Sequence, residues 1–95
     1  MNPEQTEITV KATDEVLQGR YANQAQITQT PEEIIIDFLL ISPPVGQFVS
    51  RIVMSTGHAK RLTRVLNETI SRIEKQIGEK ITESEEPRAI GFKNN

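Results

Sequence analysis

The chain has 95 residues, 11 Lys plus Arg against 13 Asp plus Glu, and a formal net charge of −2, which allows one domain of ordinary size. Apolar residues make up 36% and aromatics 4%, with a mean hydropathy of −0.41, a soluble composition poor in large core side chains. The absence of cysteine excludes disulfides, thiol nucleophiles and thiolate metal sites, the pI near 5.4 counts against a surface that grips phosphates, and no apolar run approaches the roughly 20 residues of a membrane span.

Residues 1–5 are polar and lack the apolar stretch of a leader peptide, so a cytoplasmic location is expected. Residues 7–12 alternate in polarity and predict a first strand with Ile8 and Val10 on one face. Residues 13–19 then connect, with Gly19 as the turn residue.

Thr30-Pro31 predicts a turn between two apolar segments, because proline presets φ and has no N–H to donate. A two-residue loop there pairs Ile27 with Ile34, Ala25 with Ile36, Asn23 with Phe38 and Tyr21 with Leu40, one largely apolar face. The next loop is Ser42-Pro43-Pro44-Val45-Gly46, whose prolines and glycine exclude a continuing strand. Pairing Ile41 with Gln47 sets Leu40 opposite Phe48, Ile36 opposite Ile52 and Ile34 opposite Met54 on that same face. On the reverse face Asp37 falls opposite Arg51, a favourable cross-strand charge pair, with Gln24 on its other side.

After Ser55, a suitable N-cap, the period becomes helical. Ala59, Leu62, Leu66, Ile70, Ile73 and Ile77 form a stripe widened by Val65, and Gly78 follows as a C-terminal cap. The expected fold class is therefore α+β: a four-stranded antiparallel sheet followed by one long C-terminal helix packed on one sheet face. A single domain over 6–78 is expected between a disordered 1–5 and an acidic, proline-stopped, disordered 79–95, in which Ala89-Ile90-Gly91-Phe92 offers a short apolar hook.

One helix covers one sheet face. The other still carries Ile35, Leu39, Ile41, Val49 and Val53 around Asp37 and Arg51, and five branched aliphatics on one surface predict an interface. A twofold homodimer is the expected partner arrangement, with an unidentified protein partner as the other candidate; the bland reading is that the first strand or the tail folds over this face. Chemistry is sparse. His58 is the single histidine, so neither a His-rich metal site nor a His-paired nucleophile can be assembled. Glu33 and Asp37 share a face but have no opposed environments to part their pKa values. Phosphate-loop, dinucleotide and nucleophile-elbow motifs are absent, so no cofactor and no enzyme activity are expected. Lys60, Arg61, Arg64 and Arg72 give the helix a basic side that supports an alternative, a weak nucleic-acid-binding dimer, although it lacks the interleaved aromatics that stack bases.

Tyr21-Ala22-Asn23, Pro31-Glu32-Glu33, Asp37-Phe38, Arg51-Ile52-Val53 and Ser55 leading to His58-Ala59-Lys60-Arg61-Leu62 occur in an order and spacing that resembles the bacterial and archaeal domain-of-unknown-function family 3467. The likeness runs from about residue 7 to Gly78. It departs at Thr56-Gly57, where similar proteins often carry proline and a longer polar residue, which weakens the first helical turn. The resemblance implies no activity, substrate or cofactor; it implies that Asn23, Asp37, Arg51 and His58 belong to a recurring framework. In order of elements alone the chain also looks like the single-stranded-DNA-binding transcriptional coactivator fold, whose basic, aromatic-bearing sheet surface it lacks. The sequence thus predicts a small non-catalytic oligomer, an interaction or regulatory module working through its sheet face.

Overall fold

Prolines place both turns of the sheet. In the structure, a computed structural model that describes residues 6–83, β1 (Gln24–Gln29), β2 (Glu33–Ser42) and β3 (Val45–Ser55) form an antiparallel sheet in the order β1-β2-β3. The first loop is Pro31-Glu32, one residue later than expected. Thr30 closes it: its N–H donates to the Glu33 carbonyl at 3.0 Å, and its Oγ1 accepts from the Glu33 N–H at 3.0 Å. Proline therefore occupies the first central position, where its fixed φ is already correct.

That small displacement moves the pairing by two residues. Ile27 faces Ile36 rather than Ile34, Ala25 faces Phe38 rather than Ile36, and Gln26 rather than Gln24 stands beside Asp37. Faces are unchanged, because side chains alternate with a period of two. Asn23 lies just before β1 rather than opposite Phe38, and exposed Tyr21 lies outside the strand rather than opposite Leu40. Asn23 still prolongs the ladder with its side chain: Oδ1 accepts from the Ile41 N–H at 2.8 Å and Nδ2 donates to the Ile41 carbonyl at 2.9 Å.

The second hairpin keeps the expected pairs near the helix end: Ile34 with Met54, Ile35 with Val53, Ile36 with Ile52 and Asp37 with Arg51. Its loop is only Pro43-Pro44, joined by a cis peptide, instead of five residues. β2 has 10 residues and β3 has 11, and the extra one is Val49, a bulge between Ser50 (opposite Phe38) and Phe48 (opposite Leu39). Beyond the bulge Leu40 faces Gln47 and Ile41 faces Gly46, not Phe48 and Gln47 as expected.

A fourth strand over residues 7–12 is not formed; these residues belong to no strand, and Ile8 and Val10 are exposed. The expected connection contains a helix instead, α1 (Asp14–Gln18). Thr13 Oγ1 accepts from the Val16 N–H at 3.2 Å, Asp14 and Glu15 occupy the positive first turn, and Gly19 ends it at a φ of +77°.

The described residues divide into two compact units, one ending at Ser55 and the other beginning at Thr56. In the second, α2 (Thr56–Ile77) has 22 residues, about 33 Å at 1.5 Å per residue. It carries the predicted stripe, with Leu66, Ile70, Ile73 and Ile77 exposed, and ends at Gly78, whose N–H donates to the Glu74 carbonyl at 2.9 Å with φ at +76°. Past the helix, the Glu74 carboxylate accepts from the Ile81 N–H at 2.8 Å. Residues 1–5, the 84–95 part of the expected tail and the 89–92 hook lie outside the described residues.

Candidate functional site

Alternation along the three strands builds the candidate face in rows. Thr28, Ile35 and Val53 form one row, Gln26, Asp37 and Arg51 the next, and Gln24, Leu39 and Phe48 the third. The predicted residues Ile35, Asp37, Leu39 and Ile41 of β2 and Arg51 and Val53 of β3 therefore share one surface. Val49 does not pair; it is the bulge residue, and Phe48 takes the place opposite Leu39 that a regular ladder would have given Val49.

At the centre, Asp37 and Leu39 are 7% and 8% exposed, the two buried side chains among the described residues. Both lie on β2, which has a strand on each side, and Leu39 is flanked by Gln24 and Phe48. A buried carboxylate needs partners, and Arg51 supplies both, with Nε donating to Oδ1 at 2.7 Å and a terminal guanidinium nitrogen donating to Oδ2 at 3.0 Å. This two-point fork is the strong form of the interaction. The Arg51 guanidinium carbon also lies 5.7 Å from the centroid of the Phe48 ring, within cation–π range.

The hydrogen bonds from Arg51 hold the Asp37 carboxyl below its ordinary value, outweighing the opposing effect of desolvation, and the same bonds raise Arg51 further. At neutral pH the pair therefore stays fully ionised and offers no proton to exchange. What it does offer is a charge-neutral, geometrically fixed centre surrounded by the apolar side chains of Ile35, Leu39, Phe48 and Val53.

Phe48 lies on this face and not on the opposite one, where the regular pairing with Leu40 would put it. The signal was present: a two-residue Pro43-Pro44 loop and an Asp37–Arg51 pair demand registers that differ by one residue, and only an inserted residue in β3 reconciles them. Lys60, Arg61, Arg64 and Arg72 are all exposed on α2, and Arg64 approaches Glu68 at 4.0 Å. Among the described residues no group of three acidic or histidine side chains is placed to hold a metal ion, and no helix is long and apolar enough to cross a membrane.

A family model described as "Protein of unknown function (DUF3467)" matches residues 1–81, which include every strand and helix just described. The chain belongs to that family. No curated protein and no solved structure matches it.

Proposed function

We propose that this DUF3467 protein is a small, non-catalytic, cytoplasmic oligomer, a homodimer in its simplest form, that acts as an interaction or regulatory module through the face bearing Ile35, Asp37, Leu39, Ile41, Arg51 and Val53. The observation that carries this reading is the neutralised Asp37–Arg51 fork at the centre of an apolar surface to which the bulge adds Phe48. Aromatic and arginine side chains are the types enriched where proteins meet. A self-neutralised centre also lets the face meet a second copy of itself, since the charge that each copy presents is already paired. A twofold arrangement places the same patch on both sides. In the same reading the apolar stripe on α2 is covered within the assembly.

Light scattering at low and high salt tests the proposal. A dimer or larger species that persists in high salt is the expected result, because apolar contacts are little screened, whereas phosphate-type contacts through Lys60, Arg61, Arg64 and Arg72 weaken steeply with salt. A monomer under both conditions would overturn it. Val53→Glu, at a half-exposed position that leaves the sheet its buried centre, is expected to yield a folded monomer; Leu39→Glu should yield a monomer or an unfolded chain.

A further inference from the structure

We infer that residues 7–12 supply a fourth strand in trans, adding to the outer edge of β1 in a second copy of the chain. The inference rests on the proposed self-association and specifies which segments exchange.

Residues 7–12, Glu7-Ile8-Thr9-Val10-Lys11-Ala12, have the alternation and β-branched content of a strand. In their own chain they join no ladder, and Ile8 and Val10 remain 78% and 83% exposed, so the segment buries almost nothing where it stands. The family match begins before this segment and runs through it, so it is part of the region the family shares.

The acceptor is equally specific. β1 has β2 on one side and no strand on the other among the described residues. Edge strands are ordinarily blunted by charge, proline, a bulge or brevity. Gln24-Ala25-Gln26-Ile27-Thr28-Gln29 has no charged residue, no proline and no bulge, and Ile27 is 63% exposed. The opposite edge, β3, is interrupted by the Val49 bulge, which sets its two halves out of phase for a regular added strand.

The two partners match in length and pattern. Each has six residues, and laying Ile8 and Val10 beside Ala25 and Ile27 continues the apolar face of Ile34, Ile36, Phe38 and Ile52. The same alignment sets Glu7, Thr9 and Lys11 beside Gln24, Gln26 and Thr28, so the polar side chains fall together. A pairing slipped by one residue would put Ile8 and Val10 among the glutamines. Reciprocal exchange closes on itself in a twofold dimer and satisfies both free edges at once.

The chain has no cysteine, so an introduced pair reports its own neighbour without interference. Three full-length variants carry Thr9→Cys together with Gln24→Cys, Gln26→Cys or Thr28→Cys, which spans the registers that keep the faces matched. Mild oxidation and non-reducing mass analysis are expected to show, for at least one variant, a covalent dimer of doubled mass that thiol reverses, while each single-cysteine variant stays uncrosslinked. A disulfide formed within one chain, free thiols in all three double variants, or a dimer crosslinked through one cysteine type alone would each overturn the exchange. Failure of the sheet-face reading looks different. In that case Val53→Glu stays dimeric and the double variants still crosslink between chains, whereas failure of the exchange leaves a wild-type dimer with no such crosslink.

Discussion

The two hairpins share β2, yet a displaced turn affects them in opposite ways. In the β1–β2 hairpin the turn centre lies one residue beyond the Thr30-Pro31 position, pairing moves by two, and every side chain keeps its face. In the β2–β3 hairpin the turn centre moves by only half a residue, pairing beyond the bulge moves by one, and Phe48 crosses to the other side of the sheet. The smaller displacement has the larger consequence, because a period-two structure tolerates even shifts and inverts under odd ones. Val49 confines the inversion to the half of β3 near the prolines, so Asp37 and Arg51 stay opposite while Phe48 joins them.

The largest expected effect comes from the row where the hairpins meet. Leu39→Ala removes the buried side chain between Gln24 and Phe48 and should cost about 2–5 kcal/mol in urea denaturation. A loss below about 1 kcal/mol would mean that this row is not the centre of the sheet.

Asp37→Asn tests the row beside it through pH. Because the folded carboxyl is held below its ordinary value of 3.8, the stabilisation it provides is complete above that value and is lost as pH falls through the lowered one. The wild-type protein should therefore lose stability in acid below about pH 4, and the variant should be less stable at neutral pH with a flatter acid limb. An acid limb unchanged in thermal melts would remove Asp37 from the account.

Asn23→Ala loses two exposed side-chain bonds to Ile41 and should cost about 1 kcal/mol. Amide exchange should quicken at Ile41 and not at Ile36. Deleting Val49 is expected to change stability least, since it leaves a regular ladder in which Asp37 still faces Arg51 and Leu39 still faces Phe48. Loss of either contact in the NMR spectrum would show that the bulge, rather than the flanking pairs, holds the register.

Much of the site could be read in advance because it rests on short-range rules. The Asp37–Arg51 pair follows from charge opposite charge on adjacent strands, the span of α2 from a 3.6-residue stripe ended by Gly78, and the face shared by Ile35, Leu39 and Val53 from alternation. Phe48 escaped because its face depends on where one extra residue is accommodated. Tyr21 stays outside the sheet because the regular register stops where Asn23 turns its side chain into the ladder.

Local pattern alone thus settled which segments become β2, β3 and α2 and which charges meet, since those choices are made by neighbours a few residues apart or directly across a strand. Tertiary structure decided the bulge at Val49, the clasp of Asn23 on Ile41 and the standing of residues 7–12 outside their own sheet. Each of these is a competition between alternative pairings of distant segments, and the winner depends on what all three strands can satisfy together.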